Sequence, residues 1–218
     1  MKVGKGKSCT ASPLYSGPFP GNGVIYDSNV SCSSEYTPFN VVYEAAVVGT
    51  CGSVNVEGKY SKPLTIAAAN DVIINNNLEK TSEEGMLGLI ANNFIRVYHP
   101  VEVLHKEECS GTGSSKKCEQ VTYCGSNTAG AVTGLKIEAA LLALQHSFIV
   151  DNYQCGDQLG TLTVKGAIAQ HYRGAVGTTG NSGYIKNYEY DERLKTTEPP
   201  SFIEPVKSDW VIGRQTVE

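Results

Sequence analysis

Asp71, Asn93, His146 and His171 are side chains suited to acid–base or metal chemistry, and each stands directly after an amide, Asn70, Asn92, Gln145 or Gln170. Two imidazoles and a carboxylate stacked along one edge could hold a divalent cation or relay a proton. The same residue types also close turns and meet solvent, and that plainer role is the expectation for this polar column. Glycoside hydrolysis needs two carboxylates about 5–9.5 Å apart across a groove. Asp71, Glu138 and Asp151 are the carboxylates within the repeating part of the chain, and Glu138 and Asp151 fall at opposite ends of one repeat. Glu79, Glu83, Glu84, Glu107 and Glu108 fall in segments that read as loops. A lyase would add a basic residue near a cation site, for which Arg96 and Arg173 are the candidates. No acid–base pair emerges, so no catalytic residue, metal or cofactor is expected. Lys59, Lys62 and Lys165 read as part of a solvated face. Tyr60, Tyr98 and Tyr172 carry rings that suit sugar stacking but pack equally well at strand edges.

The chain has 7 cysteines and 4 histidines. None of the cysteines forms a CxxC pair, so zinc spacing is absent. So many cysteines point to disulfides in an oxidising compartment. Cys109 with Cys118, Cys124 with Cys155, and Cys32 with Cys51 are the expected pairs, with Cys9 left over.

These residues sit in a repeating frame. Leu64–Ile74, Met86–Arg96, Ala139–Ile149 and Val164–Tyr172 each read as an apolar strand, an amide at a turn, a polar residue and a second strand. Aligning Asn70, Asn92, Gln145 and Gln170 gives a period of about 22 to 25 residues, with a doubled middle interval. The doubled interval holds a polar, Gly- and Ser-rich insertion, residues 104–133, with three of the cysteines. Leucine-rich repeats need a Leu and Asn spacing that is missing, and helical repeats need a longer period. The expected fold is all-β: a right-handed parallel β-helix, or β-solenoid, with N-terminal and C-terminal capping segments. In that fold the four amides stack into a ladder, each donating to one coil and accepting from the next. The expected organisation is an N-terminal cap over residues 1–50, a solenoid over 51–182 and a wrapping C-terminal tail over 183–218, anchored by Trp210.

Composition bounds the function. Hydrophobic residues make up 40% and charged residues 18%, a globular balance that argues against a long disordered tail and against a coiled coil. The net charge of −4 and the lack of a basic stripe argue against nucleic-acid binding. Apolar runs are too short for membrane insertion by this chain. The first eight residues carry lysines but no apolar run, so they do not read as a signal peptide, and export would imply a longer precursor. Asn29-Val30-Ser31 matches a glycosylation acceptor.

Several segments resemble one group of bacterial proteins. They include Gly21-Asn22-Gly23-Val24-Ile25-Tyr26, Leu64-Thr65-Ile66-Ala67-Ala68-Ala69-Asn70-Asp71, Leu87-Gly88-Leu89-Ile90-Ala91-Asn92-Asn93 and Arg96-Val97-Tyr98-His99-Pro100. Ser147-Phe148-Ile149-Val150-Asp151-Asn152-Tyr153, Gly160-Thr161-Leu162-Thr163-Val164, Gly166-Ala167-Ile168-Ala169-Gln170 and Lys186-Asn187-Tyr188-Glu189-Tyr190-Asp191 continue the likeness. Together they are similar to type IV pilin-like surface proteins with a β-helical exported body. The resemblance covers roughly residues 19 to 214 and brings no catalytic residues. It implies a location at the bacterial cell surface and partners that are other surface or pilus-like subunits, including further copies of the chain. The family's N-terminal prepilin-type helix is missing here, and the insertion at 104–133 departs from its pattern. The expected role is a non-enzymatic extracellular structural or adhesive module of a filament-like assembly. A polysaccharide-processing or glycan-binding solenoid is the alternative.

Overall fold

The structure, a computed structural model, describes residues 2–4, 23–27, 52–111 and 116–202. In chain order its strands are β1 (Lys2–Gly4), β2 (Val24–Asp27), β3 (Val54–Tyr60), β4 (Leu64–Ala68), β5 (Val72–Lys80), β6 (Leu87–Ala91) and β7 (Ile95–Val97). They continue with β8 (Val101–Ser110), β9 (Lys117–Asn127), β10 (Lys136–Ala143), β11 (Phe148–Val150), β12 (Gln158–Gln170) and β13 (Gly183–Tyr190). A short 3₁₀ turn, Glu192–Lys195, follows.

The chain winds as a parallel β-solenoid of about five turns. Three faces are stacked in register. On the first, β2, β4, β6 and the second half of β10 lie one above another, with the second half of β12 beyond them. The second face stacks Val54–Val56, Val72–Ile74, β7 and β11. On the third, the ends of β3 and β5, the start of β10, the middle of β12 and β13 follow one another. All these pairings are parallel, while β1 runs antiparallel along β3 and occupies its outer edge.

The sequence specifies this stacking by repeating similar aliphatic residues at equivalent places. Ile66, Leu89, Leu141 and Ile168 form one inward column. Val54, Val72, Ile95 and Phe148 form a second, and Leu78, Ile137, Val164 and Tyr188 a third. The middle members of each column are buried, and each contributes roughly 1.5–3 kcal/mol through removal from water. At the last coil the columns surface: Ile168 is half-buried and Tyr188 is 46% exposed.

β13 was expected in the wrapping tail. It pairs in parallel with β12 and is a strand of the sheet, and its Tyr184 hydroxyl donates to the Val132 carbonyl at 2.5 Å. The wrapping segment is shorter and begins at Asp191. Arg193, held by the Asp191 carboxylate, donates through Nη1 to the carbonyls of Glu83 (2.6 Å) and Gly85 (3.1 Å). Thr65 then donates to the Pro200 carbonyl, so the strap runs from the last coil back to the first. Similarly, Val24–Asp27 of the expected N-terminal cap is a strand of the first face. Trp210, Cys9, Cys32, Cys51 and Asn29-Val30-Ser31 lie outside the described residues.

The expected insertion is an antiparallel hairpin, β8–β9, that forms its own two-stranded sheet. Nearly every residue of β8 is exposed. Cys109 and Cys118 face each other across it and are joined by a disulfide. A second disulfide, Cys124–Cys155, ties the base of β9 to the body. Both bonds are the ones expected from the sequence. A lone two-stranded ribbon is marginal in water, which gives the crosslinks their purpose. Replacing Cys109 and Cys118 together by Ser should therefore fray the arm and speed trypsin cleavage at Lys106, Lys116 and Lys117 at least tenfold. The body should melt at an unchanged temperature, as peptide mapping and calorimetry would record.

Gly88 shows how the strap is seated. A Cβ there would stand 2.6 Å from the Phe202 ring and 2.9 Å from Pro199. Gly88→Ala should lift the strap, lower stability by about 1–2 kcal/mol in urea titrations and expose the segment around residues 196–202 to proteases.

Candidate functional site

Alternation along Phe94-Ile95-Arg96-Val97 turns Ile95 and Val97 inward and Arg96 to the other side of the strand. Arg96 occupies a column with Ile73 below and Ile149 above. It is only 1% exposed. Its Nε and Nη2 donate to the two oxygens of Asp151 at 2.8 and 2.9 Å, a bidentate pair. Its Nη1 reaches Asp71 Oδ2 at 3.3 Å. The other Asp71 oxygen accepts the Phe94 backbone N–H at 3.0 Å. One guanidinium thus stands between two buried carboxylates contributed by neighbouring coils. Burial pushes the Asp71 carboxyl up to about 6, against the downward pull of Arg96 and the Phe94 N–H, and Asp151 adds to the rise. Both carboxylates are closed to solvent and committed to Arg96, so they do not form an acid–base pair open to a substrate.

His99 extends this cluster to the root of the hairpin. It is fully buried, with Nδ1 3.0 Å from the Asp151 carbonyl and Nε2 2.8 Å from Asn127 Oδ1. Asn127 is oriented by its own Nδ2, which donates to the Asp157 carbonyl at 2.9 Å. Both ring nitrogens of His99 therefore face oxygens. Gly156 completes the root. It has a φ of +65°, and a Cβ there would run into Asn127 Oδ1.

On the outer side of the second face, one coil above Arg96, Ile149 lies in a groove of about 790 Å³. Phe94, His146, Tyr153, Gln154, Tyr172 and Arg173 shape it. The His146 imidazole lies flat on the Phe94 ring, with centroids 4.3 Å apart and planes 1° from parallel. Tyr172 stands next to it at 6.5 Å and is 60% exposed, while His171 meets Tyr172 edge-on at 4.3 Å. Among the described residues no carboxylate lines the groove. The buried cluster positions two of its walls: Asp71 holds the Phe94 backbone, and Asp151 anchors the turn that leads to Tyr153.

The expected polar column is not assembled. Asp71 is buried on Arg96, Asn93 stands over Asn70, His146 stacks on Phe94, and His171 is exposed beside Tyr172. The amide ladder is also corrected. The register sets Ala68 against Ala91, which places Asn93 rather than Asn92 over Asn70, and Asn93 Nδ2 donates to Asn70 Oδ1 at 2.5 Å. Asn92 and Gln145 are exposed. Gln170 caps a turn instead, its Oε1 accepting from the N–H groups of Phe148 (2.8 Å) and Gly174 (3.3 Å). The tandem Asn92-Asn93 offers two equally good alignments by residue type, and only the packing of Leu64 on Leu87 decides between them.

Tyr60 is buried and donates to the Glu138 carbonyl at 2.5 Å, with burial and Glu138 raising its hydroxyl well above the usual range. Of the three tyrosines considered for stacking, Tyr172 lies in the groove. Lys59 pairs with Glu79, and Lys165 faces Glu138 and Glu189 across the strands, so these lysines belong to a mixed-charge face. Among the described residues, the one grouping with metal-ligand spacing is Glu107, Cys109 and Cys118, whose sulfurs are spent in the disulfide.

Comparison with protein-family profiles, curated proteins and solved structures finds no match to the chain. Among the described residues no helix is long and apolar enough to cross a membrane.

Asp71 carries a pH signature. Its folded value of about 6 lies above its ordinary value of 3.8, so the folded state holds that proton more tightly. The contribution favours folding below about pH 4 and is lost as pH rises through about 6. The stability of the parent minus that of Asp71→Asn should fall by on the order of 2–3 kcal/mol between pH 4 and pH 7. Urea denaturation of both proteins across that range measures it.

Proposed function

We propose that this chain is a non-enzymatic extracellular module, structural or adhesive, that serves in a cell-surface or pilus-like assembly. The observation that carries this reading is the hairpin arm. At about 3.4 Å per residue it is roughly 30 Å long. Among the described residues it has no packing partner in the body beyond its root, and it presents Val103, Leu104, Val121 and Tyr123 to the outside. An arm held out by two disulfides, with apolar side chains on show, is suited to contact with a neighbouring subunit. The disulfides also favour an oxidising compartment, which supports export. The body suits a passive role: its charged residues with chemical potential are locked inside as Asp71–Arg96–Asp151, and its coils form a rod bonded along its length.

Other surface subunits, including further copies of this chain, are the partners this reading names. Immunogold electron microscopy of producing cells, with an antibody to the folded domain, tests it. Regular labelling along the cell surface or along thin fibres is the expected result. Unlabelled cells, with the protein recovered as a soluble species from the medium, would overturn the assembly role.

A further inference from the structure

We infer that the groove beside Tyr172 is a binding site for an acidic saccharide chain, one built of uronate or similarly carboxylated sugar rings. This inference rests on the adhesive reading and gives it a ligand class.

Three features of the groove converge on that chemistry. The first is a stacking surface. Phe94 is buried under His146, and the coplanar pair is rigid because Asp71 fixes the Phe94 backbone from inside. Beside it the Tyr172 ring is 60% exposed and open to a ligand. Flat rings at neighbouring places offer the apolar faces on which the C–H surfaces of successive sugars pack, and their polar edges stay wet. The volume, about 790 Å³, is in the range of small-ligand sites, roughly 300–1,000 Å³.

The second feature is charge. The chain as a whole is acidic, with net charge −4, yet among the described residues no Asp or Glu lines this groove and Arg173 does. A guanidinium offers forked donors that match a carboxylate. The side chains of Gln154 and Tyr153 add neutral hydrogen-bonding groups at the same rim. Among the described residues Arg173 has no ion-pair partner, and a uronate would supply one where a neutral sugar would not.

The third feature disfavours a peptide. Peptides that bind along β-structure take main-chain hydrogen bonds from an open strand edge. Here backbone N–H groups in and beside the groove, those of Tyr172 and Gly174 among them, are already given within the protein. Phe148 and Gly174 donate to Gln170 Oε1, Val150 to Ala175, and His171 and Tyr172 to His146. What remains for a ligand is side-chain rings, an amide and a guanidinium, which is a sugar-binding inventory.

The test is titration calorimetry of the whole chain with three probes of equal length: oligogalacturonate, a neutral gluco-oligosaccharide and an oligoglutamate peptide. The expected result is saturable binding of the uronate at least tenfold tighter than of either other probe, weakening as salt rises. Tyr172→Ala should reduce uronate affinity at least tenfold. Arg173→Gln should bring uronate and neutral affinities to within about threefold. Both side chains are exposed, so both variants should keep the parent's melting temperature, which makes their binding losses interpretable. Failure of the uronate to bind, binding untouched by both substitutions, or a preference for the peptide would overturn the assignment. Surface labelling without uronate binding would sink this inference alone, and uronate binding by a protein found only in the medium would sink the surface assembly alone.

Discussion

Parallel stacking sets each side chain directly over its counterpart in the next coil, about 4.8 Å away. Every residue must therefore tolerate its own column. Inside, the answer is aliphatic on aliphatic, as in Ile66, Leu89 and Leu141. Charges of one sign cannot stack this closely without cost, so they alternate. The outer side of the third face does this, with Lys59 against Glu79, and Lys165 between Glu138 and Glu189. The buried cluster obeys the same rule: Arg96 separates Asp71 from Asp151, each brought in by a different coil. A buried ion cluster of this kind adds little net stability compared with well-packed apolar residues, but it cannot form in a shifted register. Its effect is to fix which coil sits on which, a task that interchangeable aliphatic columns perform poorly.

The departures from regular stacking occur where the column rule ceases to apply. Between β7 and β10 the chain leaves the body as the β8–β9 hairpin, whose residues have, among the described residues, no coil above or below to satisfy and are free to be polar. The cost of that freedom is a ribbon with no core, offset by Cys109–Cys118 near its tip and by Cys124–Cys155, His99 and Asn127 at its root. At the other limit the columns end in Ile168 and Tyr188, and the strap from Asp191 to Phe202 returns along the side of the body instead of closing that end. Arg193 makes the return firm, because a guanidinium clamped by Asp191 has little rotamer freedom left to lose when it meets the carbonyls of Glu83 and Gly85.

The coil architecture was legible because it rests on composition repeated at a fixed interval, and the hairpin disulfides because the insertion broke that interval visibly. What was not legible depended on register to a single residue. Asn92 and Asn93 are chemically equivalent in the sequence, and only the coil register sets Asn93 over Asn70. β13 looked like tail because its Tyr-rich pattern lacks the aliphatic signature of the earlier coils, yet Tyr188 takes the place that Val164 and Ile137 hold below it. The charged cluster was invisible as a cluster, since its members lie 25 and 55 residues apart. One signal pointed to it. Val72-Ile73-Ile74 does not alternate, which marks a strand covered on both sides. Arg96 shares the column of Ile73 and was therefore destined for burial, where only acidic partners would accept it.

The groove is itself a product of register. Between Ala68 and Val72, and between Ala91 and Ile95, the turn holds three residues, and the flanking strands pair without a shift. Between Ala143 and Phe148 it holds four, although Ala143 pairs with Ala91 and Phe148 with Ile95 just as strictly. The surplus residue has to leave the stack. By position along the second face His146 is the counterpart of Asn93, but the longer turn carries its ring across to lie on Phe94. An amide over Asn93 would have continued the turn ladder and left the outer surface flat. Moving an aromatic ring there instead ends the ladder, covers Phe94 and begins a row of rings that Tyr172 continues in the next coil. The added residue thus builds a wall on a surface that would otherwise repeat, and a break in the repeat is what a solenoid needs to bind something at one place and not at every coil.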